Sequence, residues 1–592
     1  MEENNSLVGK EAQGLSILNK IGIGVFVSGI LGLIELISIA ALDNKIYGIK
    51  YVPNYEAFIF ISFGLMLIGT FLFTYKRINR VFLTNFFKTT NIPQRLGLLL
   101  GLLGAGILIA AWVGILFEPA TLFLWISMVL MAVGILTYSY GTYAGHTAGI
   151  KNNHVWSNGL TNRGVLGWIA GVAFTLFYIQ LYWFSDTLQG LVQLFDPLSF
   201  LLRGKASDQW FVYGTMYSFL ILFLGIKFMI KYRNNRYQLI RTISIIFFQL
   251  VFAYFLPDIL ESFNDNGAGY FSKDMKYVWP LNYEMANGKR LDGMAEAGLS
   301  GTFFFFWGLI LFLVITPVIT YFVGKRWYCS WVCGCGGLAE TVGDGFRHLS
   351  SKKESAWKIE RWVMHLVMFF ILIMTIGALW PYFSGEEYVI SFLTISGTGF
   401  YVFSAILLAI CTIVLFFGYR KFDKKWLLVG SIITLVILLA FTSAWIFDYN
   451  NVFYVKSSNL KSVYGFGVGS AFAGVIGVGF YPILGNRVWC RFGCPMAGYI
   501  GLFQRFKSRF RITTNGSQCI SCGNCSTYCE QGIDVRAYAQ KGENIIRSSC
   551  VGCGICSAVC PRGVLKLENG PEEGRFEPNP LVITKDGVKL NK

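Results

Sequence analysis

The sequence predicts an all-α polytopic membrane protein of about twelve transmembrane helices, carrying a small α+β domain at its C-terminal end. Three observations carry this. The 592 residues are 54% hydrophobic and only 14% charged, where soluble domains carry about 25% charged residues. Apolar runs of the length a spanning helix needs, about 20 residues, recur along most of the chain. After residue 485 the composition turns polar and cysteine-rich.

By the length rule, helices are expected near 18–41, 56–75, 96–117, 120–139, 164–184, 211–231, 239–257, 302–324, 361–382, 400–418, 426–446 and 464–484. The N-terminus "MEENNSLVGKEAQG" lacks the basic start and small-residue cleavage site of a signal peptide. The first apolar run is therefore read as a retained helix, with the N-terminus in the cytoplasm. "YKRINR" (75–80), "KYRNNRYQLIR" (231–241), "GKRW" (324–327) and "YRKFDKK" (419–425) then all fall on the inside, as basic loops should. The net charge of +17 is read as this topology and not as a nucleic-acid surface. The expected location is a bacterial inner membrane, with both termini cytoplasmic and the lipid bilayer as the main partner.

The expected organisation follows. Residues 1–300 form an N-terminal membrane region of about seven helices with an outside loop at 258–300. That loop holds seven acidic and four basic residues and reads as a capping loop or a docking surface. Residues 301–498 form a second membrane region with two cysteine motifs at its cytoplasmic face. Residues 499–512, "YIGLFQRFKSRFRI", place Tyr499, Phe503, Phe506 and Phe510 at helical spacing among Arg505, Lys507, Arg509 and Arg511. This is a basic amphipathic linker suited to the membrane surface. Residues 513–570 form the small domain and 571–592 a polar tail. Glycines within the spans suit close helix packing.

Thirteen of the fourteen cysteines lie in four short clusters, as metal ligands do, and not as the disulfides of a small secreted domain. Cys411 stands alone in an apolar run and reads as a small buried hydrophobe. "CISCGNCSTYC" (519–529) and "CVGCGICSAVCP" (550–561) each have C-x2-C-x2-C-x3-C spacing. Repeated about thirty residues apart, this spacing specifies a bacterial two-cluster ferredoxin domain, the fourth cysteine of each run ligating the other cluster. Cys519, Cys522, Cys525 and Cys560 are assigned to one 4Fe–4S cluster, and Cys550, Cys553, Cys556 and Cys529 to the other. Zinc is the alternative for paired C-x2-C motifs, and the triple-plus-one spacing argues against it. The first copy has Glu530 where the second has Pro561, a negative charge expected to lower the nearby cluster's potential.

Two further motifs follow apolar runs. "KRWYCSWVCGCGGLAE" (325–340) superposes on "NRVWCRFGCPMAGYIG" (486–501), aligning Cys329 with Cys490, Cys333 with Cys494, Arg326 with Arg487 and Cys335 with Met496. This is read as an internal repeat. If each helix continues through its C-x3-C pair, the two cysteines share a face, and two such faces supply four thiolates. A third iron–sulfur cluster on Cys329, Cys333, Cys490 and Cys494 is the expectation, with structural thiols at helix ends as the alternative. Cys335 is a spare thiol, a substitute ligand, or the ligand of a further centre.

These four motifs together resemble the NapH/NosR/CcoG group of membrane polyferredoxins over roughly residues 300–570. The resemblance implies membrane electron transfer linked to quinol, support of an extracytoplasmic reductase, or copper reduction for an oxidase. The first motif departs from the group's C-x3-C-P pattern. Neither the flavin-binding domain nor the immunoglobulin-like domain of individual members is found, and the seven N-terminal helices have no counterpart in a small NapH-like subunit.

Other candidate chemistry is sparse. Of four histidines only His365 lies in a span, so no haem held by two histidines is expected. His365 and Glu35, the ionisable residue inside the first span, are candidates for quinone binding or proton transfer. Core hydrogen bonding is the alternative for both. His146 and His154 read as polar-loop residues, and Glu340 as an interfacial one. The expected function is iron–sulfur electron transfer between cytoplasmic-side clusters and quinone or an extracytoplasmic redox protein, with a cytoplasmic electron donor as a further partner. The alternatives are a copper reductase or assembly factor, for which Met275, Met285 and Met294 could serve a soft metal, and a redox-coupled transporter.

Overall fold

The computed structural model describes residues 17–46, 55–74, 90–145, 158–262, 279–281, 288–383, 388–390, 393–417, 424–447, 456–515, 518–570, 581–584 and 587–590. His146, His154, Met275, Met285 and most of the basic loops 75–80 and 419–425 lie outside the described residues. The backbone of Cys411 is described within a helix, and its side chain is not.

The main helices are α1 (Ile17–Ile46), α2 (Tyr55–Thr74), α3 (Ile92–Trp112), α4 (Ala120–Tyr143), α5 (Val165–Trp183), α6 (Gln209–Lys231), α7 (Arg236–Phe247), α8 (Leu299–Ile310), α9 (Gly334–Thr341), α10 (Glu354–Phe383), α11 (Gly397–Phe417), α12 (Lys424–Ile446), α13 (Ser457–Tyr464) and α14 (Pro495–Lys507). Among the described residues nine helical segments are long and apolar enough to cross a membrane. α11 and α12 fall on the tenth and eleventh expected spans. α3 and α4 approach closely because Gly97 and Gly134 face the partner backbone, where an added Cβ would come within 2.3 and 2.4 Å of a backbone nitrogen.

The twelfth expected span is not one helix. α13 continues as a π-helix over Gly465–Ile476, the chain turns at 477–480, and a single helical turn occupies Tyr481–Leu484. Gly477 and Gly479 and the Pro482 that opens the last turn account for the break.

The C-terminal module begins earlier than its cysteines. α14 ends at Lys507, and β3 (Phe510–Thr514) pairs antiparallel with β4 (Leu565–Asn569) in the register Phe510↔Asn569 to Thr514↔Leu565. The expected linker 499–512 is therefore half helix and half strand. From residue 508 the pattern changes to period two, with Phe510 and Ile512 both in the module's core. Of the linker's basic residues, Arg505 and Arg509 are exposed and Arg511 is 4% exposed. In the expected polar tail, Leu581–Thr584 and Gly587–Leu590 form an antiparallel hairpin. A second hairpin, β1 (Tyr388–Ile390) with β2 (Leu393–Ile395), lies between α10 and α11.

Candidate metal centres

The ferredoxin copies fold alike. In each, a glycine with positive φ (Gly523, +76°; Gly554, +73°) starts a short helix, and a second (Gly532, +65°; Gly563, +61°) follows the fourth cysteine. The third cysteine of each run sits in that helix, at Asn524–Thr527 and Ile555–Ala558. The structure brings the cysteines together in two crossed sets. Cys519, Cys522, Cys525 and Cys560 line one hollow. Cys529, Cys550, Cys553 and Cys556 line another. Each hollow gathers four sulfurs among mostly apolar neighbours, a donor set that suits a cubane cluster. Among the described residues, no three His, Cys, Asp or Glu side chains close to the spacing around a single ion.

The membrane cysteines are arranged differently from the expectation. Neither helix continues through its C-x3-C pair. Gly324 (φ +72°, ψ −177°) and Gly485 (φ +100°, ψ 170°) end the preceding helices, in a region that only glycine adopts readily. Beyond each glycine the backbone repeats itself. The Cys333 amide donates to the Tyr328 carbonyl (2.7 Å) and the Cys494 amide to the Trp489 carbonyl (2.9 Å). Both Cys333 and Cys494 are extended residues capping the helix that follows. The repeat read from the sequence is real, but its unit is a hairpin and not a continuous helix.

These hairpins fold back between the membrane helices. On the outward limb, Ser244 donates to the Trp331 carbonyl (3.0 Å) and Gln249 to the Val332 carbonyl (2.7 Å). Gly334 then packs on Tyr217 and Gln249. On the return limb, Gly337 meets Ile245 and Ile221, Glu340 meets Arg241 at 2.7 Å, and Asp344 meets Lys231 at 2.8 Å. Gln238 of α7 touches the ferredoxin module, and Gln249 lies eleven residues further along the same chain. The two contacts are thus about 16 Å apart along the helix, at 1.5 Å per residue. Cysteines expected at helix mouths lie inside the bundle.

There the five sulfurs form one group. Cys329 is within electrostatic reach of Cys333 and Cys490, Cys494 is within reach of Cys490, Cys329 and Cys333, and Cys335 is in hydrogen-bond contact with Cys333. Cys329, Cys490 and Cys494 are all buried. The Ala497 amide donates to Cys494 Sγ (3.4 Å), and Arg487 Nη1 points at Cys490 Sγ (3.7 Å). Such donors favour thiolate and suit a metal cluster. Met496, in the place corresponding to Cys335, is fully buried. All four π-helical segments among the described residues reach this site. They contribute Gln249, Leu311, Phe472 with Val468, and the Trp489–Gly493 turn that carries Cys490. Such bulges are frequent at functional sites. From the other side Leu281 packs on the group, and the neighbouring Trp279 donates to Thr375 Oγ1 (2.9 Å). Part of the expected outside loop thus reaches into the bundle.

A buried ion network joins this group to the ferredoxin module, and the sequence reading missed it. Arg487 Nη2 reaches Glu530 at 3.0 Å and Glu340 at 3.3 Å, while Nη1 donates to the Cys329 carbonyl (3.1 Å). Arg347 pairs with Glu530 and Asp344, and Lys231 with Asp344. Arg241 bridges Glu340 and the Cys553 carbonyl (2.6 Å). Glu340 is therefore not an interfacial residue: it is 2% exposed. Burial pushes the Glu530 carboxyl up, but Arg487, Arg347 and Arg241 outweigh it and hold it down at about 2. Its charge is balanced by guanidinium groups and is not the bare negative charge expected. The one signal in the sequence was the repeated arginine, Arg326 and Arg487, beside each cysteine pair.

Ser330 donates to the Val551 carbonyl (2.7 Å), Tyr237 to the Gly552 carbonyl (2.7 Å) and Gln238 to the Cys553 carbonyl (2.9 Å). The ligand loop of the Cys550 set therefore sits directly on the membrane cysteines. The Cys519 set faces outward, with Cys522 exposed.

The remaining candidates are elsewhere. His365, half-buried on α10, makes a hydrogen bond through Nδ1 with the Arg361 carbonyl of its own helix. Glu35 is on the exposed side of α1, at the end of the apolar window Ile17–Leu36. Neither is brought to the cysteines by any described contact. Met294 is 3% exposed, so its thioether is not presented to a soluble metal.

A family model described as a 4Fe-4S binding domain matches residues 304–355 and 467–513, the two hairpin units with their preceding helices. A model described as a 4Fe-4S dicluster domain matches 511–561. The methylamine utilization ferredoxin-type protein MauN of Paracoccus denitrificans (strain Pd 1222) is 32% identical over 135 residues, covering 22% of this chain and 44% of that protein. The chain thus spans less than half the length of that relative. No solved structure matches. These similarities support a membrane polyferredoxin-type family for the C-terminal region, with iron–sulfur electron transfer as its chemistry.

Proposed function

We propose that the chain is a membrane conduit in which electrons pass through three 4Fe–4S centres in a line. Cys519, Cys522, Cys525 and Cys560 would hold the outer cluster, and Cys529, Cys550, Cys553 and Cys556 the inner one. Cys329, Cys333, Cys490 and Cys494 would hold a third, within the bundle. The observation that carries this reading is the seating of the inner ligand loop on the hairpin of Cys329, through Ser330 and Val551. The protein supplies spacing, burial and hydrogen bonds, and the clusters supply one-electron chemistry.

The module side is cytoplasmic in this reading, in a bacterial inner membrane. The third centre, reached by Leu281 from the far side, exchanges electrons with quinone or an extracytoplasmic acceptor. Cys335, in contact with Cys333 but outside the repeat, is left as a neighbouring thiol. The test is direct: dithionite-reduced protein in proteoliposomes is mixed with a membrane quinone under anaerobic conditions. Reoxidation of the clusters, or their reduction by the quinol, is expected. If neither occurs, the quinone branch of the proposal falls.

A further inference from the structure

The two ferredoxin copies use corresponding faces differently. In the second copy, the ligand loop Cys550–Cys553 is an interface: Val551 is 1% exposed and its carbonyl accepts from Ser330. In the first copy, the corresponding loop is Cys519–Cys522. Ile520, in the place of Val551, is 55% exposed, and Cys522, in the place of Cys553, is exposed too. Beyond the fourth cysteine, the buried side has Glu530 and Gln531 where the outer side has Pro561 and Arg562, both exposed. Arg562 and Arg536 line the outer hollow, and no lining residue there is acidic. The buried hollow is lined by Glu530 and by no cation.

We infer that the outer face, built around Ile520 and Cys522 and flanked by Arg536 and Arg562, is the docking surface for a small acidic one-electron carrier protein. An exposed apolar tip with a cationic rim suits a small, transient electron-transfer encounter, in which charge sets the association rate. The same loop face in the second copy already serves as a protein contact. The carrier's centre loses one electron and the outer cluster gains one, with no bond made and no proton moved. This rests on the electron-transfer reading above.

The experiment uses the full chain in detergent and a strongly acidic plant-type 2Fe–2S ferredoxin, photoreduced, as the probe. Stopped-flow reduction is normalised to dithionite-reducible cluster content. At low ionic strength the second-order rate should fall at least tenfold in Arg536→Glu/Arg562→Glu, within the range that electrostatic steering spans. It should fall in Ile520→Asp, be retained in Arg536→Lys/Arg562→Lys, and decline with salt in the wild type. A rate insensitive to charge reversal and to salt, with reducible clusters present, overturns the docking surface alone. A wild-type protein without reducible iron overturns the electron-transfer reading itself.

Discussion

Replacing Arg487 by methionine is expected to loosen the ferredoxin module from the membrane helices. The guanidinium is fully buried and serves two carboxylates, Glu340 and Glu530, one carbonyl and one sulfur. Removing one member of a buried ionic group costs about 3–5 kcal/mol, because the opposite charges stay in a low-dielectric site. Glu340 keeps Arg241 and Glu530 keeps Arg347, so the loss should lie near the lower end, at about 3 kcal/mol. Thermal unfolding in detergent, followed by tryptophan fluorescence, would register it. Adding Glu530→Gln should recover part of the loss by removing a carboxylate left with one partner fewer. Equal stability of Arg487→Met and wild type, with no benefit from the second change, would remove the network from the account.

The second large effect is expected at the glycines that start the hairpins. An alanine Cβ at position 324 would stand 2.5 Å from Phe510 Cβ, and one at 485 would stand 2.4 Å from Ser350 Oγ and 2.8 Å from its backbone nitrogen. Both backbones also occupy a region that costs a side-chain-bearing residue about 1–3 kcal/mol, and overpacking adds about 1–3 kcal/mol more. Gly485→Ala should therefore lose about 2–6 kcal/mol and lower the iron bound by the hairpins, while the ferredoxin clusters keep their EPR signals. Gly324→Ala should also disturb β3 through Phe510. Wild-type thermal stability in both variants would mean that the chain does not reverse at these residues.

The legible parts of the structure were those fixed locally. C-x2-C-x2-C-x3-C spacing dictates its own loop, so the grouping of eight cysteines into two crossed sets followed from counting. The alignment of Cys329 with Cys490 and Cys333 with Cys494 came from the same kind of local pattern. Depth was not legible, because hydropathy cannot distinguish a chain that leaves a membrane helix from one that folds back beside it. Gly324 and Gly485 were the clue, at matched positions before each motif. The ion network had no local signature: Arg241, Glu340, Arg487 and Glu530 are far apart in sequence. The strand at Phe510–Thr514 was misread because Tyr499, Phe503, Phe506 and Phe510 happen to share helical spacing, while β4, which pairs with it, lies some fifty residues on.

The central claim is that five cysteines gathered inside the helix bundle include the four ligands of a third cluster. Iron and acid-labile sulfide counting on anaerobically purified wild type and Cys490→Ser, with EPR of both in the reduced state, tests it most directly. The account predicts about twelve irons per wild-type chain and about eight in the variant, at four per cubane, with one EPR component missing from the variant. About eight irons in both proteins, with identical spectra, would contradict it.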